Sequence, residues 1–170
     1  MTGTFHPNSA WGAALFEWWS GLDNNRGARA ELRRCNTPLE VMMTPSFHYA
    51  RRRLLERRPE EEESRNDRLP FVIGLASHVT STPQRDAHIA LPSLPDAFSR
   101  GDRPKVSSLR FRQILEARDD DELFMRVRRV LPMVRNEVSV FSLANDLYWW
   151  GDRTRKRWVY EYRWPAPDAA

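Results

Sequence analysis

Arginine is the residue type in this sequence best placed to do chemistry, because it is abundant and clustered. The 170-residue chain has 27 cationic side chains, of which only Lys105 and Lys156 are lysines. The planar guanidinium group binds phosphate through paired hydrogen bonds and stacks on bases, whereas lysine acts as a mobile point charge. The composition therefore indicates an anionic partner, although GC-rich codon usage would explain the preference for arginine equally well.

The arginines fall into groups without matching acidic residues nearby. The acidic runs 60–63 and 119–122 hold eight of the 23 carboxylates, so the rest of the chain is distinctly basic. Any one group, taken alone, is better explained as a solvated helix face. Together they favour the phosphate backbone of a nucleic acid as the ligand. The candidate nucleic-acid-binding residues are Arg26, Arg29, Arg33, Arg34, Arg51, Arg52, Arg53, Arg110, Arg112, Arg128, Arg129, Arg153, Arg155, Lys156 and Arg157.

No motif that reads bases accompanies these cations. The sequence has no zinc finger, no recognition-helix pair with a tight glycine turn, and no aromatic motif of the RNA-recognition type. Binding is therefore expected to be independent of sequence. Trp149 faces away from the apolar stripe of its helix and is the one tryptophan suited to base stacking or to a partner contact.

Catalytic and metal sites find little support. The histidines lack metal-ligand spacing, no phosphate-binding loop or nucleophile elbow occurs, and Cys35 lies on the packing side of its helix. The carboxylates of Asp119, Asp120 and Asp121 could hold magnesium, but a helix-capping role explains them more simply. We therefore expect no catalytic residue, no metal and no cofactor. The four histidines are His6, His48, His78 and His88.

Helical periodicity dominates the sequence. Apolar residues recur at helical spacing from Trp11 to Leu22, from Leu123 to Val134 and from Val140 to Tyr148, and no pair of strands is recognisable. Ser9, Asp23 and Asp67 are expected to cap helices. The sequence predicts an all-α fold, a compact bundle of six or more helices with one long irregular central loop, in a single domain over residues 1–170.

The second helix has two unlike faces. Arg26, Arg29 and Arg33 lie within about 60° of one another on a helical projection, opposite Leu32 and Cys35. This pattern predicts that one side packs and that all three arginines project together. Changing the three to glutamate is then expected to spare the fold and weaken nucleic-acid binding.

Two segments lack helical patterning. Residues 59–66 form an acidic connector, and residues 80–106 form a proline-rich loop with prolines at 83, 92, 95 and 104. The longest apolar run, near Phe71–Ala76, is far shorter than the roughly 20 residues of a membrane span, and no secretory signal is recognisable. With one cysteine and no possible internal disulfide, a reducing cytosol fits.

Three stretches resemble a known family. They are residues 18–34 (WWSGLDNNRGARAELRR), residues 106–115 (VSSLRFRQIL) and residues 143–162 (LANDLYWWGDRTRKRWVYEY). Their order and spacing are similar to those of the CasB family, the small subunit of the type I-E CRISPR surveillance complex called Cascade. Residues 59–66 and most of 80–105 fit no part of the family pattern.

The resemblance implies a structural function in the prokaryotic cytoplasm. Family members are helical, have no catalytic centre, and pair head to tail beside the crRNA-containing backbone and large subunits. The implied partners are those subunits, a second copy of this chain, and target DNA including the displaced strand of the R-loop. The alternatives are a stand-alone basic helical regulator that binds duplex DNA and, more remotely, an enzyme with an unrecognised site.

Overall fold

Helices make up nearly all of the regular structure in this computed structural model, which describes residues 4–57, 66–82 and 91–167. In those ranges the only β-pairing is an isolated parallel bridge between Ser81 and Glu137. The all-α class and the bundle of more than six helices are therefore confirmed. The helices are α1 (Ala10–Gly21), α2 (Arg26–Arg33), α3 (Pro38–Met42), α4 (Pro45–Leu55), α5 (Leu69–Ala76), α6 (Leu94–Ser99), α7 (Ser108–Leu115), α8 (Asp120–Val130), α9 (Val140–Tyr148) and α10 (Asp152–Glu161).

Some helices begin at the capping residue that the sequence predicts, and others do not. The Ser9 side chain caps α1 and that of Asp119 caps α8, as expected. The prediction that Asp23 caps the second helix is wrong. Residues Leu22–Asn24 continue α1 as a 3₁₀ turn, so α2 begins later and the Asn25 side chain accepts a hydrogen bond from the Ala28 amide at 3.1 Å.

Helix α5 lies at the centre of the bundle. All eight of its residues are buried, and it contacts α2, α3, α4, α8 and α9. Burial on every side, and not on one stripe, is typical of a core helix. Gly74 allows the closest approach, because a Cβ atom there would lie 2.7 Å from Val41 Cγ2 and 3.0 Å from Phe124 Cε2. The prediction that Asp67 caps this helix is also wrong, since Asp67 lies within a 3₁₀ turn, Asn66–Arg68, that precedes it.

The proline-rich segment is not wholly irregular, which corrects the prediction of a structureless loop over residues 80–106. Helix α6 lies within it, and the Ser93 side chain accepts a hydrogen bond from the Asp96 amide at 3.1 Å. Pro95 occupies the first turn of α6, where a missing amide hydrogen costs nothing. Residues 58–65, which include most of the acidic connector 59–66, and residues 83–90 lie outside the described residues.

Aromatic packing joins the two ends of the chain to the core. Phe5 stacks on Trp11 and meets the edge of Tyr148, with ring centroids 5.1 and 5.5 Å apart. At the other end, fully buried Trp158 donates its Nε1 hydrogen to Asp146 Oδ2 at 2.8 Å, which ties α10 to α9. None of the helices in the described ranges has the length and hydrophobicity needed to span a bilayer.

Candidate nucleic-acid interface

The candidate cations divide into those that bind other protein groups and those that do not. An arginine engaged in internal hydrogen bonds has less capacity to bind phosphate than one whose guanidinium group faces solvent alone. The engaged candidates are Arg29, Arg53, Arg128, Arg155 and Arg157. The candidates whose side chains have no hydrogen bond or ion pair within the described residues are Arg26, Arg33, Arg34, Arg51, Arg52, Arg110, Arg112, Arg129, Arg153 and Lys156.

Arg29 is part of the protein's internal packing. Its side chain is only 13% exposed, and its Nη2 lies 3.2 Å from Asp23 Oδ1. Its Nη1 lies 3.5 Å from the carbonyl oxygen of Val79, and burial lowers the pKa of the guanidinium group. The expectation that Arg29 projects together with Arg26 and Arg33 is therefore corrected. The helical projection missed this contact because the loop after α5 packs against that face.

Arg128 joins α8 to the end of α2. Its Nη2 donates a hydrogen bond to the carbonyl oxygen of Arg33 at 3.0 Å, and its Nη1 donates to Asn36 Oδ1. Helix C-termini leave carbonyl groups unsatisfied and favour positive charge, so this guanidinium group fits its position. His78 lies close to Arg33 and Arg128. We call the region formed by Arg29, His78 and Arg128 the α2–α8 junction.

Three further candidates form ion pairs near the surface. Arg53 contacts Glu17 at 2.8 Å, and Arg155 contacts Asp152 at 2.7 Å. Arg157 pairs with buried Asp146 and with Glu161. The neighbouring carboxylates raise the pKa of the Arg157 guanidinium group against the opposing effect of burial. Its interaction with the 5% exposed Asp146 makes Arg157 a structural contact of α10.

The unpaired cations of two helices come together at one concave surface. Helices α7 and α8 form an open groove of about 510 Å³, lined by arginines of both helices and by Gln113, Val130 and Met133. Arg110 and Arg129 are exposed and have no partner in the described part of the chain, while Arg126 donates hydrogen bonds to the Gln113 carbonyl and to Glu122. We call this surface the α7–α8 groove. It combines two free guanidinium groups with a third that is fixed in place.

Sequence reasoning selected only part of this groove. Arg126 and Gln113 were not among the candidates, although Arg126 lies one helical turn before Arg129 and so shares its face. Arg112, in contrast, is exposed but does not line the groove, because it points away from Arg110 on α7. The structure thus brings together Arg110 and Arg129 and leaves their sequence neighbours elsewhere.

Four more of the candidate cations without a partner in the described ranges lie on two other helices. Arg51 and Arg52 belong to α4, and Arg153 and Lys156 belong to α10; none of these four lines the groove. The Trp149 side chain is 43% exposed, its Nε1 donates to Thr4 Oγ1 at 2.8 Å, and its ring meets the edge of Tyr148. Of the adjacent tryptophans Trp149 and Trp150, it is Trp150 that packs on the core, against Trp158.

Cys35 and His78 are not among the residues that line the groove. Cys35 is buried, and burial raises the pKa of its thiol, helped by the nearby carboxylate of Glu40. His78 is 7% exposed, and burial, with Arg33 and Arg128 nearby, lowers its pKa to about 4. Within the ranges the structure describes, no group of three or more metal-ligating side chains occurs.

Comparison with known proteins gives a consistent result. A model of the family described as CRISPR-associated protein Cse2 matches residues 28–162. The fold is similar to a chain in the crystal structure of E. coli Cascade bound to a PAM-containing dsDNA target, with a TM-score of 0.62 and 23% identity over 88% of this chain and 92% of that one. No curated protein sequence matches the chain. The chain belongs to the CRISPR-associated protein Cse2 family, which confirms its resemblance to CasB.

Proposed function

We propose that this chain is a non-catalytic small subunit of a type I-E Cascade complex and that it holds nucleic acid by its phosphate backbone. The observation that carries this proposal is the family match, which extends over most of the chain. The similarity of fold to a chain of a DNA-bound Cascade complex supports it.

The α7–α8 groove is the surface we assign to backbone contacts. Arg110 and Arg129 line it and have no partner among the residues that the structure describes, and the fixed guanidinium group of Arg126 adds positive charge. Guanidinium groups bind phosphate oxygens whatever the adjoining base, so contacts of this kind carry no sequence preference. Gln113, Val130 and Met133 complete the lining of the groove.

Such contacts matter in an RNA-guided complex because the exchange of strands is nearly balanced in free energy. An RNA–DNA heteroduplex is about as stable as the DNA duplex that it replaces, so protein contacts to the backbone can tip the balance toward the R-loop. The proposed partners are the crRNA-containing backbone and large subunits, a second copy of this chain, and target DNA including the displaced strand. The proposed setting is the prokaryotic cytoplasm.

The other classes of function have less support. Cys35 and His78, the groups best suited to catalysis by type, are buried away from the groove. A stand-alone regulator of duplex DNA is not favoured, because the chain belongs to a family of Cascade proteins.

Affinity purification of the tagged full-length chain from its native cells tests the proposal. We expect it to recover a processed RNA together with several other subunits, and to lose both when the remaining subunits are deleted. Recovery of the chain alone from cells that express those subunits would contradict the proposal. Recovery of duplex DNA fragments that share one sequence would favour the regulator.

A further inference from the structure

The outer face of α10 combines an exposed aromatic ring with cations that have no partner among the described residues. Arg153, Lys156 and Tyr160 are three and four residues apart in turn, so they lie on one face of the helix. Tyr160 is 89% exposed, whereas no other large hydrophobic side chain in the described ranges exceeds 68%. Its ring has no stacking partner and its hydroxyl no hydrogen bond within those ranges.

The acidic residues of the same helix are already occupied. Asp152 pairs with Arg155 at 2.7 Å, and Glu161 pairs with Arg157 at 3.2 Å. Arg153 and Lys156, which share the helix face of Tyr160, have no ion-pair partner within the described residues. This face offers a flat aromatic surface flanked by positive charge. A nucleotide is complementary to it, because its base can stack on the ring and its phosphate can bind the cations.

The helix that carries this face is fixed in position. Trp158 is fully buried, and the hydroxyl of Tyr162 donates a hydrogen bond to the Val106 carbonyl at 2.7 Å. At the other end, Thr154 Oγ1 donates to the Trp149 carbonyl at 2.8 Å. Because α10 is held at both ends, the ring of Tyr160 is presented without a cost for ordering the backbone on binding.

We propose that this face is a stacking platform for single-stranded nucleic acid, with Tyr160 against one base and Arg153 and Lys156 on adjoining phosphates. A single strand is the fitting ligand because its bases have free faces, whereas the bases of a duplex are already stacked. The proposal rests on the proposed function and adds a second contact surface, distinct from the α7–α8 groove.

The test measures the binding of the full-length chain to a labelled single-stranded oligothymidine and to an abasic strand of the same length, over a range of salt concentrations. The variants are Tyr160→Ala, Tyr160→Phe and the double variant Arg153→Ala/Lys156→Ala. Tyr49→Ala is the matched control, since Tyr49 is an exposed tyrosine on a different helix, α4, where it is 56% exposed. Circular dichroism checks that each variant is folded.

Stacking predicts a distinctive pattern of results. Tyr160→Ala lowers affinity for oligothymidine at least about fivefold without changing the salt dependence, since the ring carries no charge. Tyr160→Phe and Tyr49→Ala bind like the wild type, and the abasic strand binds wild type and Tyr160→Ala equally. The double variant lowers the slope of log affinity against log salt by about 1.4, which corresponds to two contacts with a single strand.

The opposite results distinguish failure of the stacking platform from failure of the proposed function. Unchanged binding by Tyr160→Ala, with weaker binding by the cation double variant, would remove the platform and leave the proposed function intact. An equal loss for Tyr49→Ala and Tyr160→Ala would also overturn the platform. If Tyr160→Ala binds normally yet fails to join the complex, the ring is a protein contact and the platform is wrong. Absence of salt-dependent binding by the wild type would overturn both proposals.

Discussion

Arg128 and Arg129 are neighbours in the sequence, yet they belong to two regions that use arginine in opposite ways. In the α2–α8 junction, Arg128 and Arg29 donate hydrogen bonds to backbone carbonyls and to side chains of the same protein. In the α7–α8 groove, Arg129 and Arg110 have no such partners within the described residues. The charge available to a ligand is therefore set by which arginines are engaged, and not by how many there are.

The largest effect is expected from reversing a charge in the junction. Arg29→Glu places a carboxylate, largely buried, beside the Asp23 carboxylate and the Val79 carbonyl oxygen, both of which repel it. We expect a loss of stability of about 3 kcal/mol, measured by thermal or urea unfolding. The control is Arg26→Glu on the exposed side of the same helix, which should cost less than about 0.5 kcal/mol. An equal loss of stability in the two variants would contradict the division between engaged and free arginines.

A second expectation concerns pH and the junction histidine. Because the pKa of His78 is lowered from 6.5 to about 4 in the folded protein, the unfolded chain takes up a proton between these pH values that the folded chain does not. Stability is thus lost as the pH falls through this range, by up to about 3 kcal/mol from this group. His78→Gln should flatten that part of the stability profile. An unchanged profile would show that His78 is protonated in the fold.

Arg128 and Arg129, which are adjacent in the sequence, give a direct comparison of the α2–α8 junction with the α7–α8 groove. Arg128→Ala removes hydrogen bonds to the Arg33 carbonyl and to Asn36, and we expect it to cost about 1 to 2 kcal/mol. Arg129→Ala removes an exposed side chain and should cost less than about 0.5 kcal/mol. Urea unfolding of both variants measures the difference. A greater loss for Arg129→Ala would reverse the assignment of the two residues.

The smallest change in free energy is expected in the groove, where it affects binding and not folding. Arg110→Ala/Arg129→Ala should leave the melting temperature close to that of the wild type. The slope of log affinity for DNA against log salt should fall by about 1.4 to 1.8, because two phosphate contacts are lost. A slope equal to that of the wild type would remove the groove from the proposed interface.

The fold could be predicted from the sequence wherever local signals decide it. Ser9 and Asp119 cap their helices because a side-chain acceptor at that position satisfies free amides, whatever the rest of the chain does. Asp23 and Asp67 are the same residue type as Asp119, but they lie inside 3₁₀ turns and do not cap a helix. The burial of the nearby Leu22 and Leu69 fixes where those helices begin. Tertiary packing, which a local pattern does not contain, overrides the capping signal there.

The candidate site shows the same limit more strongly. A helical projection places Arg26, Arg29 and Arg33 on one face, but it cannot show that the Val79 carbonyl arrives beside Arg29 from a segment 50 residues away. Nor can it show that Arg110 and Arg129, on different helices, line one groove. Sequence identifies which side chains are cationic; contacts distant in sequence determine which of them remain free.

Gly74 constrains how the sequence of this protein can diverge. A methyl group at this position in α5 would overlap Val41 of α3 and crowd Phe124 of α8, and both of those side chains are fully buried. An alanine at position 74 therefore requires a smaller residue at position 41 or 124, or a displacement of a packed helix, which costs about 1 to 3 kcal/mol. Positions 41, 74 and 124 are expected to evolve as a linked set, in which a gain of volume at one is matched by a loss at another.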